Sequence, residues 1–379
     1  MRSKILHIIT SLHADGAQNM LLKLAQERNQ ENFDYEVVSL LDKGVLGPEL
    51  EKSGVKIHSL KMKSLHGLLT SIPKLRSIIK NYKPDVIQAW MYHANLLSLA
   101  IVKTISSAER PKLVWNIRRD LDSFAHDKFF TKITIKLNSL FSKLPTKIIY
   151  CGSKVKKDHL AIGFTDCNSE LIANGFNCEK FFPTADRRKK LRHEINIPND
   201  SNLIGMVGRF HSQKNHKNFV QMADKVLDVL PSTHFVLIGQ GCNSENSQLI
   251  EWIGKTKKPV QFHLLGARRD IPEILPSLDV FCLSSSAEGF PNVLGEAMAS
   301  GVISVSTDAG ASREIIGDDQ RIAPIDNSNV LAEKVLEVLR LSPLEREKIQ
   351  ALSRTKILEN FQISSISNKY QDLYESIRR

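Results

Sequence analysis

Cysteine is scarce in this 379-residue chain: five residues, at 151, 167, 178, 242 and 282, an odd number with no C-x-x-C pair. That argues against a disulfide framework or a thiolate zinc site and reads as reduced thiols in a cytoplasmic protein. No apolar run approaches the roughly 20 residues that span a bilayer. Met1-Arg2-Ser3-Lys4 leads straight into a strand, so a cleaved leader is not expected. Aromatic residues make up only 7% of the chain and are not interleaved with the lysines, which argues against nucleic acid as a partner. There is no G-x-G-x-x-G fingerprint, no internal repeat and no zinc-ligand spacing, so no bound metal or cofactor is expected.

Charge, in contrast, is plentiful and unevenly spread. The net charge is +11, and residues 1–175 hold 26 Lys and Arg against 16 Asp and Glu, while the remainder is almost balanced. A basic half points to an anionic partner, such as a membrane surface or a phosphorylated acceptor. The length predicts two domains, each able to bury its own core. Short apolar runs alternate with helical patterns in both halves. They lie at Ile5–Ile9, Tyr35–Leu40, Lys56–Leu60 and Asp85–Trp90, then again at Leu203–Val207, Phe235–Ile238 and Val260–Leu265. This is the rhythm of doubly wound α/β sheets, which bind ligands beyond the carboxyl ends of their strands. The polar stretch Thr184–Asn199 reads as a linker with a short helix.

The most informative stretch runs from Leu278 to Gly301. A buried strand ends near Leu283, the chain turns through Glu288, Gly289, Phe290 and Pro291, and a helix containing Glu296 follows until Gly301 stops it. Amides at Gly289, Phe290 and Asn292 near a helix N-terminus form a ready anion site. Earlier, strand Leu203–Val207 runs into Gly208-Arg209-Phe210-His211-Ser212-Gln213-Lys214. Arg209 supplies a planar fork of donors and Lys214 a mobile ammonium, a pair suited to a diphosphate. The plain alternatives are solvated surface charges at all four positions.

Read together, E-G-F-P-N-V-L-G-E-A-M-A-S-G with its Glu-x7-Glu spacing and the preceding G-R-x4-K resemble the signature of glycosyltransferase family 4. That resemblance implies the GT-B fold, two Rossmann-like domains facing across a cleft, with a C-terminal helix crossing back to the first domain. It implies domains at 1–175, joined by about 361–379, and at 176–360. It further implies a retaining transfer from a nucleotide-sugar, most often a UDP-sugar, to a glycan or lipid-linked acceptor, forming an α-glycosidic bond without a required metal. By the same resemblance Glu296 would hold the ribose hydroxyls and Glu288 the donor sugar. Arg209 and Lys214 would hold the leaving diphosphate. Gly208, Gly266, Gly289, Phe290, Pro291, Asn292 and Val293 would line the donor site. Bacterial surface-polysaccharide or lipopolysaccharide assembly is the implied role. A nucleotide-sugar epimerase of related fold and a non-catalytic nucleotide-sugar or polyanion binder are the competing readings.

The resemblance is weaker in the first half. Asp15-Gly16-Ala17-Gln18 is a partial match to the family's glycine loop, so Gly16 either lets the backbone approach the donor or simply makes a tight turn. His93 and Asn95 follow the strand ending at Trp90 and are expected to face the cleft, His93 as a candidate catalytic residue or a structural one. Arg118 stands where many family members carry a histidine, and would contact an anionic or hydroxyl-rich group of the donor. Asp270 is expected to cap a helix. Residues 128–144 form an amphipathic helix with Phe130, Ile133, Leu137, Leu140, Phe141 and Leu144 on one face and Lys128, Lys132 and Lys136 beside it. Packing of that face on the sheet is the favoured reading, and docking on the anionic inner face of the cytoplasmic membrane the alternative.

Overall fold

The alternation of strands and helices folds into two all-parallel sheets, as a computed structural model of residues 2–13, 15–62, 65–122, 124 and 128–378 shows. The chain divides into two compact units. One comprises residues 1–175 with 363–379, the other residues 176–362.

The first unit carries β1 (Ser3–Ile9), β2 (Phe33–Ser39), β3 (Lys56–Ser59), β4 (Val86–Trp90), β5 (Lys112–Ile117), β6 (Lys147–Tyr150) and β7 (Ser169–Leu171). Their order across the sheet is β3-β2-β1-β4-β5-β6-β7, so the winding reverses between β1 and β4. These two strands pair in register from Ile5 opposite Val86 to Ile9 opposite Trp90. Helices cover a parallel sheet on both faces, which is why β4 is buried along its whole length and β1 at every position but Lys4. A histidine inside such a strand must shed its proton. Burial drives the pKa of His7 down to about 3, and its Nδ1 accepts from the Trp90 indole at 3.2 Å.

The last helix, Ile363–Ile377, buries Ile363, Ile366, Tyr370, Leu373 and Tyr374 in the same cluster as Ile5, Ile9, Tyr35 and Trp90. Burying each such side chain stabilises by roughly 1.5–3 kcal/mol. Five of them on one helix are comparable with the net stability of a whole domain, so the end of the chain is an integral part of the first unit.

The helix Phe129–Leu140 departs from the favoured expectation. Its buried residues are Ile135 and Asn138, whereas Phe130, Ile133, Leu137 and Leu140 are exposed. Asn95, expected at an open edge, is also fully buried, 3.1 Å from Asn138.

The second unit carries β8 (Leu203–Val207), β9 (His234–Ile238), β10 (Phe262–Leu264), β11 (Val280–Leu283), β12 (Ile303–Thr307) and β13 (Ile322–Ala323). Their order is β10-β9-β8-β11-β12-β13, with the reversal between β8 and β11. The stretch read as a linker is instead packed into this unit. Its helix, Ala185–Glu194, buries Arg192 completely, with Nη2 2.6 Å from Asp279 Oδ2 and Nη1 donating to Ser201 O at 2.7 Å. A buried guanidinium requires such partners, and these lock the helix to the strand before the Glu288 loop.

Among the described residues no helix is long and apolar enough to cross a membrane. All five cysteines are free thiols, and four are buried.

Candidate functional site

In the second unit the loops that follow β8 and β11 leave the sheet side by side, at the point where its winding reverses. Ligands of open α/β sheets bind at such points. After β8 comes Gly208-Arg209-Phe210-His211, then one 3-10 turn, Ser212–Lys214, and then Asn215 in the left-handed region at φ 51°. Asparagine tolerates that conformation, and its side chain caps the next helix by accepting from the Asn218 amide at 3.2 Å. The turn aims Lys214 back over its own loop. A Cβ on Gly208 would lie 3.3 Å from Lys214 Cδ.

From there the Lys214 ammonium reaches the Glu288 carboxylate, 74 positions further along the chain, and forms an ion pair with it. Ser285 Oγ donates to the same carboxylate oxygen at 2.7 Å. The Glu288 side chain is only 11% exposed and that of Lys214 22%, so both charges are largely desolvated and depend on each other. Three further contacts fix the two loops together. The Ser286 amide donates to Gln213 O at 2.8 Å, and Ser284 Oγ donates to Lys214 O at 3.1 Å and Asn215 O at 3.0 Å.

The opposite flank of the Glu288 turn rests on the loop after β12. Gly310 has φ 56°, and a Cβ there would stand 2.0 Å from Glu288 O and 2.7 Å from Gly289 O. Only glycine fits that approach. Thr307 Oγ1 donates to Ser285 O at 2.5 Å, and the Ala311 amide donates to Gly289 O at 3.2 Å. Beyond the turn, Phe290 is buried and stacked on Phe176 at 6.1 Å, and Pro291 is buried as the residue before the helix Asn292–Ala299. Proline has no side-chain acceptor with which to cap that helix, and the dipole of its first turn attracts anions. Asn292, Val293 and Glu296 are half-buried along its first turns. Gly295 explains itself: a Cβ would fall 2.1 Å from Phe176 Cζ.

The loop after β8 is braced from the other side by β9 and β10. Gly208 N donates to Ile238 O and Gly239 N to Gly266 O, each at 2.8 Å, and Gly266 N donates to Cys242 O at 2.8 Å. Gly239, at φ 150°, lies so near that a Cβ would stand 2.1 Å from Gly208 O. Beneath the loop, Cys242 Sγ lies 3.5 Å from Gly208 O and 3.3 Å from His216 Nε2. Burial lowers the His216 pKa to about 4 and raises that of Cys242 to about 11. The prop is therefore a neutral pair, and the loop's charge comes from exposed Arg209 and from Lys214. Asp270 does not cap with its side chain. It takes a bidentate pair from Arg268, at 2.8 and 2.6 Å.

Ser285, Gly310, His216 and Cys242 complete this site and were not singled out from sequence. The only available signals were the serine run before Glu288 and the glycine after β12.

The first unit places its candidates on the corresponding edge of its own sheet. Gly16 is exposed and opens the helix Gly16–Glu27 behind Asp15. Met91, directly after β4, has φ 69°. A left-handed backbone at an unbranched non-glycine residue costs about 1–3 kcal/mol and marks sites where function constrains the chain. His93 follows, exposed, its pKa lowered by desolvation.

Arg118 turns into its own unit. Its Nε donates to Asn116 Oδ1 at 2.8 Å and its terminal nitrogens to Asn174 Oδ1 and Tyr370 Oη, with the guanidinium 5.7 Å from the Trp90 ring. These partners are amide and phenol groups of the protein where the resemblance called for a donor group. Among the described residues no group of three or more His, Cys, Asp or Glu side chains is placed to hold a metal ion.

Known proteins match this chain over both halves. The profile described as Glycosyltransferase Family 4 matches residues 14–180, and that described as Glycosyl transferases group 1 matches residues 187–355. The chain is 26% identical over 317 residues to the N,N'-diacetylbacillosaminyl-diphospho-undecaprenol alpha-1,3-N-acetylgalactosaminyltransferase of Campylobacter jejuni, covering 80% of each chain. It is 24% identical to the UDP-Gal:alpha-D-GlcNAc-diphosphoundecaprenol alpha-1,3-galactosyltransferase of Escherichia coli, covering 98% of this chain and 96% of that one. Among solved structures, Anabaena HepE in complex with UDP shares the fold at a TM-score of 0.86 and 19% identity, over 98% of this chain and 100% of that one.

Proposed function

The chain belongs to glycosyltransferase family 4 and has its GT-B fold of two Rossmann-like domains, and from that footing we propose that it moves a sugar from a UDP-sugar to a lipid-linked glycan with retention at the anomeric carbon. The observation that carries the reading is the Lys214–Glu288 ion pair at the point where the second sheet reverses its winding, beside a helix N-terminus and Glu296.

In this reading Arg209 and Lys214 bind the diphosphate and neutralise the charge that grows on it as the bond to the sugar breaks. Gly208, Gly289, Phe290, Pro291, Asn292 and Val293 line the same pocket with backbone groups at the helix N-terminus. Glu296 accepts hydrogen bonds from the ribose hydroxyls. Glu288, held by Lys214 and Ser285, accepts from the hydroxyls of the transferred sugar. The amide of Gly266 is already engaged with Cys242, so base contacts fall to the residues after it. The bond from C1 of the sugar to the diphosphate oxygen breaks, and a bond from C1 to the acceptor oxygen forms on the same face. The acceptor proton passes to the departing diphosphate, so the charges balance.

His93 and Gly16 serve the acceptor side and the approach of the donor, respectively. Arg118 is a positioning residue that holds Tyr370 of the last helix to the strand ends. Both relatives act, by their names, on diphosphoundecaprenol-linked acceptors and form alpha-1,3 linkages, which supports a lipid-linked acceptor and an α-linked product. The complex of HepE with UDP supports uracil as the base. The basic surplus of residues 1–175 suits an acceptor presented at an anionic membrane surface.

The test is thermal unfolding of the purified protein with a panel of nucleoside diphosphates and nucleotide-sugars, repeated with Arg209→Ala and Glu296→Ala. Saturation at 100 times the dissociation constant should stabilise by about 2.7 kcal/mol. A shift for uridine nucleotides that both variants lose supports the donor site, and no shift with any nucleotide refutes it. Release of an epimerised sugar or of UDP alone, without an acceptor, would favour an epimerase.

A further inference from the structure

The helix Phe129–Leu140 is amphipathic in the inverted sense. At 100° per residue, Phe129, Phe130, Ile133, Leu137 and Leu140 fall within one arc of about 100°, and Ile135 and Asn138 fall on the opposite side. The structure buries the side that holds a polar amide and exposes the side that is wholly apolar. Asn138 is fully buried, donating to Tyr92 O at 3.1 Å and Thr134 O at 2.8 Å. Phe129, Phe130 and Leu140 are 71%, 79% and 72% exposed. Phe141 and Leu144 extend the exposed face past the end of the helix.

Single exposed apolar residues are ordinary, but a cluster is not. Of the fourteen large hydrophobic side chains exposed among the described residues, seven lie between positions 129 and 144, and no other stretch of that length holds more than two. The charge within this segment is of one sign. Residues 128–144 contain Lys128, Lys132, Lys136 and Lys143 and no acidic residue. On the helical wheel Lys132 and Lys136 lie along one margin of the apolar arc.

We propose that this face is a membrane-docking surface that inserts its phenylalanines and leucines into the headgroup–acyl boundary of an anionic bilayer, with the lysines against the lipid phosphates. An apolar arc bordered by lysines, on a helix too short to span, is the pattern of a helix lying in the interface plane. A protein partner or a second copy would have to supply an acidic rim against the lysines. The nearly neutral second unit and the basic first unit offer no such surplus on this chain. The inference deepens the acceptor reading, since a lipid-linked substrate is met only at a membrane, and it names the surface that makes the contact.

The experiment is co-sedimentation of the full chain with vesicles of phosphatidylcholine alone and of phosphatidylcholine with about one third phosphatidylglycerol. It compares wild type with Phe129→Ser/Phe130→Ser/Leu140→Ser and with Lys132→Gln/Lys136→Gln/Lys143→Gln. Wild type should partition to the anionic vesicles. The apolar triple variant should lose at least about tenfold in partitioning, given the area it removes from the interface. The lysine variant should lose its dependence on phosphatidylglycerol and on salt.

Five of the six positions are exposed and Lys132 is half-exposed, with Lys143 just past the end of the helix, and circular dichroism would verify that the variants fold. Both should keep the uridine-nucleotide thermal shift and turnover of a short-chain, water-soluble acceptor, so a failed docking proposal stays distinguishable from a failed donor site. No partitioning by wild type, or equal partitioning by the apolar variant, overturns the proposal. So does a wild-type dimer in light scattering that the apolar variant dissolves, because a second copy would then be the occupant.

Discussion

The two sheets reverse their winding in the same way, β3-β2-β1-β4 in one and β10-β9-β8-β11 in the other, yet they furnish the reversal differently. In the second unit the site is a charge pair between two loops, laced by backbone hydrogen bonds and closed by glycines that admit no side chain. In the first unit the same edge has a strained Met91, an exposed His93 and an arginine already occupied by its own neighbours. On the proposed function, one edge is built for a ligand with fixed charge and fixed geometry. The other leaves its chemistry open to the partner it meets. A diphosphate constrains residue type closely, because planar and point cations and close backbone approach are not interchangeable. An acceptor imposes no comparable rule, which on the proposed function accounts for the recognisable motif in the second half.

The comparison can be broken most sharply at the charge pair. On the proposed function, Lys214→Ala removes a cation from the leaving group and also the ammonium paired with the largely desolvated Glu288. Turnover should fall by about two to three orders of magnitude, as for loss of one transition-state donor. Glu288→Gln should cost turnover in the same range while uridine-diphosphate binding persists. Steady-state kinetics with each variant, set against the thermal shift, separates the two effects. If Lys214→Ala turns over normally, the second unit is not the charged one in function.

Acid should affect both units alike. Burial lowers His7 to about 3 and His159 to about 4 in the first unit, and His216 and His263 to about 4 in the second. Each is neutral when folded and titrates near 6.5 when unfolded, so the unfolded chain binds more protons between these values. Stability is therefore complete above pH 6.5 and lost as pH falls toward 4, by roughly 3 kcal/mol for a fully buried histidine such as His216. Unfolding by denaturant at pH 7 and pH 4.5 measures this loss, and His216→Gln should reduce it.

Gly310→Ala sharpens the contrast in rigidity. A methyl group 2.0 Å from Glu288 O must displace the turn, at a cost of about 1–3 kcal/mol, and should remove the nucleotide-induced thermal shift. Arg118→Lys is the smallest change. It forfeits hydrogen bonds to Asn174 and Tyr370, worth about 1–2 kcal/mol, from the first unit. The uridine-nucleotide shift should remain. Loss of that shift would mean that Arg118 acts on the donor.

How far these features were legible follows from how local their causes are. Strands, winding and family could be read because apolar periodicity and the Gly208–Lys214 and Glu288–Glu296 strings are local patterns. The Ser285 brace, the Gly310 wedge and the His216–Cys242 prop depend on packing between loops far apart in the chain. Arg118 is the clearest case, since its phenolic partner lies 252 residues on. The helix at 129–140 shows a different limit. Periodicity reports which side chains share a face and says nothing about which face turns inward. Here Asn138 turns inward, its amide donating to Tyr92 O outside the helix and to Thr134 O within it. The supposed linker at 184–199 failed likewise, because the buried partner of Arg192 is Asp279, 87 positions away.

The two points where the chain passes from one unit to the other are neighbours in space. A Cβ on Gly175 would meet Ile363 Cα at 2.7 Å, and one residue further along each crossing the Phe176 amide donates to Phe361 O at 2.8 Å beside the bridge between Phe176 and Gln362. The second unit is therefore a cassette inserted between adjacent ends of the first. On the proposed function, exchanging residues 176–362 for the corresponding piece of a relative would pair one chain's donor preference with another's acceptor.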